Sequence, residues 1–220
     1  MSIGISDCWY KDVCTAECSD TCIRFKEMYS LMDSSFIPQS KWAPIKLQPS
    51  ECDYDAFCTL NKIKSNITDF VDRGDNLYIC SKSTGNGKTS WSIKLLTKYF
   101  DSIWAGNGFR TRGFFIHTPT FLIQCKNFQR PDAVFDAMRE QLPYVDLVVW
   151  DDIASTELSS YDYSQLLMYI DVRTSCRKSN IFTGNLTTRP TLQKALGDKL
   201  TSRVWNDRTT IVQFNGGDRR

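Results

Sequence analysis

Apolar residues along this chain occur in two alternating patterns, compact runs and helical spacing, which predict short strands separated by helices. Compact apolar runs predict buried strands at 77–80, 113–117, 145–150, 180–183 and 210–214. Helical spacing of apolar residues predicts helices at 53–73, 88–104, 163–173, 191–196 and 200–205, with a further helical stretch between 121 and 142. Because strands alternate with helices, the pattern predicts an α/β fold whose parallel sheet is flanked by helices on both faces.

A run of small residues lies between the first predicted strand and the helix that begins at Lys88. Its backbone N–H groups can wrap a phosphate, the Lys88 ammonium can meet the β and γ phosphates, and the Thr89 hydroxyl can bind Mg²⁺. The usual pattern places a glycine at position 82, and Lys82 must therefore avoid a positive φ. Since the run follows a strand and opens a helix, we predict a nucleotide-binding loop and not an incidental Asn-Gly turn. The loop residues are Ser83, Thr84, Gly85, Asn86 and Gly87.

Polar side chains that could complete a nucleotide site follow two later strands. The strand at 145–150 ends in Asp151, expected to hold Mg²⁺ through water, and Asp152, expected to orient an attacking water. Asn185 follows the next strand, where its amide could hold that water or touch the γ phosphate. Arg203 lies on a short helix whose polar face could reach a neighbouring subunit. Taken alone, Asn185 would be interpreted as a helix cap and Arg203 as a surface residue. Because they follow the loop and the acidic pair in this order, a role in the nucleotide site is favoured.

Composition limits the class of protein without choosing its partners. The 220 residues, 41% of them hydrophobic, suffice for one substantial domain and a small accessory one. No basic segment followed by an apolar run opens the chain and no apolar stretch is long enough to span a membrane, so we predict a cytoplasmic location. In that compartment the nine cysteines are expected to be thiols or metal ligands. A net charge of +2 neither demands nor excludes nucleic acid.

Four cysteines cluster near the start of the chain. Cys8, Cys14, Cys18 and Cys22 could bind Zn²⁺ as four thiolates, which predicts a Cys-rich N-terminal domain with its linker at 1–50 and an ATPase domain at 51–220. On one unbroken helix the last three would span about 12 Å, too far for a single ion. The chain must therefore bend around Cys14, leaving Cys18 and Cys22 on the following helix. Free thiols on an apolar face, or an iron–sulfur cluster, are the alternatives.

The ordered set of motifs resembles the AAA+ ATPases. More narrowly it is similar to the DnaC and DnaI helicase loaders, including phage versions, with the IstB transposition ATPases as close relatives. The resemblance covers roughly residues 54–220. It implies a P-loop AAA+ core with Lys88 and Thr89 as the Walker A pair. Asp151 and Asp152 take the positions of the Walker B pair.

The same resemblance implies roles for residues beyond the Walker motifs. Asn185 would be the sensor 1 residue, and Arg203 would be the arginine finger. The ending FNGGDRR is similar to loader tails, which makes Arg219 a candidate sensor 2 contact to the nucleotide. No helical lid domain follows the last predicted strand, so we expect the adenine to be held by the core and the preceding linker.

The activity that the resemblance implies is ATP-dependent loading of a replicative helicase in DNA replication. Such a protein would bind ATP and single-stranded DNA, self-associate into an oligomer or spiral, and hold the helicase through its N-terminal domain. Asp152 is one methylene shorter than the usual glutamate, so hydrolysis is expected to be slow and to depend on assembly and DNA. In the resembling families an insertion after the second strand contacts DNA; here that segment contains Phe121, Lys126, Phe128 and Arg130.

Three other functions remain open from the sequence. An IstB-like transposition ATPase would share the fold but serve a transposase. A small-molecule nucleotide kinase would also use a phosphate loop, and it would transfer phosphate to a nucleoside monophosphate instead of releasing it. A nucleotide-bound adaptor that never hydrolyses ATP would tolerate loss of Asp152 but not of Lys88. His117, the sole histidine, receives no role at this stage.

Overall fold

The structure, a computed structural model, describes residues 8–11, 13–15, 19, 21–127 and 132–217. Its centre is a sheet of five parallel strands in the order β2-β3-β4-β1-β5. The strands are β1 Asn76–Cys80, β2 Gly113–His117, β3 Leu147–Asp151, β4 Ser179–Gly184 and β5 Thr209–Gln213. Each lies within two residues of a predicted strand, because a buried parallel strand is a nearly continuous apolar run.

Helices cover both faces of the sheet. They are α1 Ile23–Asp33, α2 Tyr54–Ser65, α3 Ile67–Asp72, α4 Lys88–Ile103, α5 Thr118–Cys125, α6 Ala133–Gln141, α7 Ser160–Ser175 and α8 Arg189–Val204. Alternate strand residues point to opposite faces: Leu77 and Ile79 join the core formed with α1 to α4, whereas Tyr78 and Cys80 join the core formed with α5 to α8. The predicted α/β class with a helix-flanked parallel sheet is therefore confirmed.

Three helical predictions differ in detail from the structure. The helix predicted at 53–73 is two helices, interrupted where Asn66 leaves the helical region (φ −119°, ψ 36°). The two predicted at 191–205 form one element, α8, with a kink at Gly197 (φ 71°, ψ 169°). Helix α7 begins before the predicted residue 163, because Ser159 and Asp162 form a capping box. In each case a local polar or backbone feature, not the apolar pattern, decides the boundary.

The N-terminal part of the chain packs on the sheet unit. Met28 and Leu31 of α1, together with Trp42, are buried in the same core as α4. The division near residue 50 stays a prediction, and the described residues 23–42 contribute to the core of the following unit. After β5 the described residues 214–217 form no helix or strand. None of the described helices combines the length and apolar character that a membrane crossing requires.

The structure does not support the predicted zinc site. Over the described ranges, no three His, Cys, Asp or Glu side chains are grouped so that they could hold a metal ion. Cys8, Cys14 and Cys22 are described, whereas Cys18 lies outside the described residues. The helix expected to include Cys18 and Cys22 begins only at Ile23, so Cys22 precedes it.

A buried arginine joins the amino-terminal edge of the sheet to its helices. Arg173 of α7 is fully buried, and its guanidinium donates to the carbonyl oxygens of Leu142 (2.7 Å), Val145 (2.8 Å) and Ser179 (2.6 Å). Its Nε also donates to Oδ1 of Asn180 at 2.7 Å. Burial lowers the pKa of Arg173. The guanidinium thus satisfies carbonyl groups of the connection between α6 and β3 and of the start of β4.

Replacing this guanidinium should destabilise the whole fold. We expect Arg173→Met to lower the free energy of unfolding by about 3 kcal/mol or more, because several buried carbonyl groups lose their donor. Urea denaturation followed by circular dichroism measures the change. The exposed Arg189 provides the matched control, and Arg189→Met should change stability by less than about 0.5 kcal/mol. Equal losses in both variants would contradict a central role for Arg173.

Candidate functional site

The predicted phosphate loop connects β1 to the start of α4. Gly85 (φ 68°) and Gly87 (φ 95°) adopt left-handed conformations, which only glycine reaches without strain. Lys82, at the position where the usual pattern has glycine, does not have a positive φ, so the missing glycine causes no backbone strain. Gly87 caps α4, and the positive end of this helix therefore opens onto the loop.

Side-chain hydrogen bonds shape the loop from within. The amide of Asn86, which is buried, donates to Oγ of Ser81, and the backbone N–H of Ser83 donates to the same Oγ at 3.1 Å. Lys88 Nζ donates to the Ser83 carbonyl oxygen at 2.9 Å and to Asn86 Oδ1 at 3.3 Å. Ser81, which the sequence did not single out, is therefore the anchor of the loop. The Lys88 ammonium lies within reach of the oxygen atoms that the loop turns inward.

A buried carboxylate faces the hydroxyl at the start of α4. The Thr89 hydroxyl donates to Asp151 at 2.9 Å (Oδ1) and 3.2 Å (Oδ2), although 62 residues separate them. Asp151 is 5% exposed and ends β3 at the carboxyl edge of the sheet. Burial raises the pKa of Asp151, and the charge of Asp152 adds to this, while hydrogen bonds from Thr183 and Thr89 act in the opposite direction.

This pair fits the Mg²⁺ ion that the sequence predicts. A carboxylate and a hydroxyl are oxygen ligands of the kind that Mg²⁺ prefers. Burial disfavours the charged form of Asp151 and raises its pKa, so a cation placed beside the carboxylate would offset this penalty. The structure thus brings together Thr89 and Asp151 as predicted from the sequence.

Thr183 holds the acidic pair in place. Its hydroxyl donates to Asp151 Oδ1 at 2.7 Å and accepts from the backbone N–H of Asp152 at 2.9 Å. Asp152 has φ 60°, a left-handed conformation that aspartate tolerates better than most residues, so the chain turns sharply after β3. The sequence placed Thr183 only as a strand residue. Its position at the end of the strand before Asn185 was the available signal.

The predicted residues surround an open cleft of ≈ 1020 Å³ at the carboxyl edge of the sheet. Loop residues 84–89, both aspartates and Asn185 line it, as do His117, Thr183 and the linker residues 46–50. His117 ends β2 opposite Asp151 in the strand register, and its Nδ1 shares a hydrogen bond with Oγ1 of Thr120 at 2.8 Å. No role for His117 could be predicted from the sequence, since its position beside the cleft depends on the order of the strands. The linker forms a wall of the cleft, as the expectation for adenine binding requires.

Other predicted site residues lie elsewhere or are not described. Ser83 does not line the cleft, but its carbonyl oxygen accepts from Lys88. Arg203 lies outside the cleft of its own chain, where its Nε donates to Oδ1 of Asp171 at 2.6 Å. Arg219 lies outside the described residues.

The segment expected to contact DNA differs from the prediction. Phe121 is 2% exposed and packs edge-on against Trp150, so its ring is not available for stacking on a base. Lys126 forms an ion pair with Asp162 at 2.7 Å. Phe128 and Arg130 lie outside the described residues. The apolar period that places Phe121 on α5 explains its burial.

Comparison with known proteins identifies the fold. No family model matches the chain, and no curated protein matches its sequence. The crystal structure of the DnaC helicase loader is similar over 81% of this chain and 100% of that one, with 20% identity and a TM-score of 0.65. The crystal structure of DnaI covers 82% of this chain and 96% of its own, with 13% identity and a TM-score of 0.59.

A replication initiator shares the same architecture. DnaA bound to AMPPCP and single-stranded DNA is similar over 79% of this chain and 50% of its own, with 15% identity and a TM-score of 0.59. At these identities the likeness establishes the fold alone, which this chain shares with the DnaC, DnaI and DnaA structures. The predicted α/β fold with a helix-flanked parallel sheet is confirmed, and so is the resemblance to the DnaC and DnaI loaders at the level of the fold, whereas the small Cys-rich N-terminal domain stays a prediction.

The buried carboxylate of Asp151 predicts a pH-dependent stability. Its pKa is raised on folding, so the ionised form destabilises the fold above that pKa and the penalty disappears as pH falls and the group is protonated. We expect Asp151→Asn to raise the free energy of unfolding at pH 7 by on the order of 1 kcal/mol. The difference should vanish near pH 3, measured by thermal unfolding across pH. Asp207→Asn, at an exposed position, is the control and should change the free energy of unfolding at pH 7 by less than about 0.5 kcal/mol. A loss of stability in Asp151→Asn at pH 7 would contradict the interpretation.

Proposed function

We propose that this chain is an ATP-dependent helicase loader that acts in DNA replication. The contact between the Thr89 hydroxyl and Asp151, across the cleft that the glycine-containing loop opens onto, carries this proposal. A hydroxyl and a carboxylate that meet at the carboxyl edge of a parallel sheet support binding of a Mg²⁺–nucleotide complex there. The similarity in fold to the DnaC and DnaI structures supports the choice of helicase loading among the activities of such ATPases.

Each residue of the cleft has its own role in binding or hydrolysing ATP. Lys88 exchanges the oxygen atoms of its own loop for the β and γ phosphates, since one ammonium can satisfy either set. Thr89 and Asp151 would hold Mg²⁺, which supplies positive charge to the phosphate oxygens when bound. Asp152 orients the attacking water and Asn185 holds it. Because Asp152 is short and fixed by a sharp turn, we infer slow hydrolysis.

A second subunit completes the site in this proposal. Arg203 lies outside its own cleft and is 40% exposed, paired with Asp171, itself 43% exposed. An exposed pair of this kind contributes little stability, so Arg203 can leave Asp171 for a phosphate group of a neighbouring chain. Such an arrangement needs an oligomer or spiral in which each cleft faces the α8 of the next copy. Arg219 stays a candidate for the nucleotide contact near the tail.

The partners proposed for this chain are a replicative helicase and single-stranded DNA. The DnaA structure bound to single-stranded DNA has the same fold, which supports DNA binding here. We further propose that residues 1–50 act as the helicase-binding part and residues 51–220 as the ATPase. Since Phe121 is buried, the DNA contacts must come from other side chains.

Mixing two inactive variants tests the shared site. Lys88→Ala should abolish ATP binding, and Arg203→Ala should keep binding but lower ATP hydrolysis by about 100-fold or more. Mixed in equal amounts, the two should recover hydrolysis, because some interfaces combine an intact Lys88 with an intact Arg203. Release of free phosphate in the presence of single-stranded DNA is the readout. No recovery above the sum of the separate variants would exclude Arg203 as a residue acting between subunits, and phosphate transfer to a nucleoside monophosphate would favour a kinase instead.

Direct capture of a replicative helicase tests the loader assignment. We expect immobilised protein to retain a candidate replicative helicase in the presence of ATP and Mg²⁺. Retention by the Lys88→Ala variant should fall, because the assembled state depends on nucleotide. Controls are the same resin without protein and a helicase of another family. If no candidate helicase binds with or without ATP, the loader function is wrong even where ATP hydrolysis persists.

A further inference from the structure

A second concave surface lies away from the sheet edge, between the N-terminal segment, α1, α2 and α4. It is a groove of ≈ 440 Å³, which we call the lysine groove, defined by Lys41, Lys64 and Lys94 with an apolar floor that includes Met28 and Ile45. Only Lys41 is shared with the nucleotide cleft. Neither Lys64 nor Lys94 is assigned a role in the nucleotide cleft or between subunits.

The charge around the groove is strongly unbalanced. Of the described residues that line it, five are cationic and only Asp101 is acidic. Asp101 is already shared by Lys98 (2.7 Å) and Arg24 (3.2 Å). Burial lowers the pKa of Lys94, and the charge of Lys64 lowers it further. Two lysines on neighbouring helices therefore repel one another beside an apolar surface, and no ion pair within the described part of the chain joins either of them to a carboxylate.

The remaining lining of the groove is aliphatic or already covered. Val13 at its rim is 74% exposed, and Ile45 is half-buried. The ring of Trp9 packs against Phe25 and Trp42, and its indole N–H donates to the Trp42 carbonyl oxygen.

The guanidinium of Arg24 covers the ring of Tyr10 at 3.5 Å from its centroid. Among the described residues that line the groove, Trp9 and Tyr10 are the aromatic ones, and since both rings already have these partners they offer little surface on which nucleic-acid bases could stack. Positive charge with an aliphatic floor thus favours a protein over a nucleic acid.

We propose that the lysine groove docks an acidic amphipathic helix of a partner protein. The apolar face of such a helix would bury Val13 and Ile45, and its carboxylates would meet Lys41, Lys64 and Lys94. Its negative charge would relieve the repulsion between Lys64 and Lys94, which is the charge complementarity that fixes orientation at an interface. The aliphatic floor supplies apolar surface that is buried on binding, which a purely electrostatic contact lacks.

Fluorescence anisotropy with a defined probe tests the groove in the full-length protein. The probe is a fluorescein-labelled peptide of leucine and glutamate with helical spacing, and a scrambled peptide of equal composition is its control. We expect the ordered peptide to bind and the scrambled one to bind at least about tenfold more weakly, since it cannot present one apolar face. Lys64→Glu with Lys94→Glu should weaken binding of the ordered peptide by at least about tenfold.

Matched variants distinguish a loss of binding at the groove from the effects of overall charge and of misfolding. Lys62→Glu with Lys194→Glu makes the same charge change at exposed positions outside the groove and should weaken binding by less than about threefold. Val13→Ser keeps the charge and should still weaken binding by about threefold. Thermal unfolding of each variant verifies its fold, and Lys64→Gln with Lys94→Gln should give an intermediate loss. No binding of the ordered peptide, equal losses in the exposed pair, or displacement of the peptide by a single-stranded oligothymidine would each overturn the proposal.

Discussion

The candidate site depends on one buried carboxylate that joins three elements. Asp151 ends β3, accepts hydrogen bonds from Thr183 of β4 and from Thr89 at the start of α4, and is almost inaccessible to water. These bonds fix the phosphate loop relative to the sheet, because Thr89 directly follows the loop lysine. The raised pKa of Asp151 shows that the arrangement costs stability in its ionised form. Because titratable groups with perturbed pKa values cluster at functional sites, the burial of Asp151 marks this edge of the sheet as the candidate site.

The loop in front of this carboxylate adopts its conformation without the glycine that the common pattern has at position 82. Where the common pattern uses a glycine, this chain has Lys82 and a negative φ. The curvature comes instead from Gly85 and Gly87 and from the hydrogen bonds that Asn86 and Ser83 make to Ser81. Side-chain bonds thus replace part of the backbone freedom that glycine supplies. The missing glycine therefore does not argue against nucleotide binding.

Much of the fold could be predicted from the sequence because buried parallel strands leave a strong apolar signal. The same signal placed Asp151 and Asn185 at strand ends, and the parallel arrangement then brought them to one edge. Thr183 and His117 were missed because their roles depend on which strands are neighbours, and the order β2-β3-β4-β1-β5 is not contained in local periodicity. The predicted DNA contact of Phe121 was wrong because local sequence was given too much weight. An aromatic residue beside basic ones can equally belong to the core. The cysteine spacing was compatible with a metal site, but spacing alone does not bring thiols together in space.

The linker before the sheet unit connects the surfaces discussed above. Residues 46–50 form a wall of the nucleotide cleft, and Lys41 lies on both the cleft and the lysine groove. The far end of the linker is fixed, because the buried Asp53 accepts from the Ser50 hydroxyl at 3.0 Å and from the backbone N–H groups of Asn215 and Gly216. The other end is held as well, because Trp42, which follows Lys41, is buried in the core packed against the sheet. The cleft and the groove are therefore joined by a short segment whose two ends are held by packing and by hydrogen bonds, and its covalent length limits how far either surface can shift relative to the other.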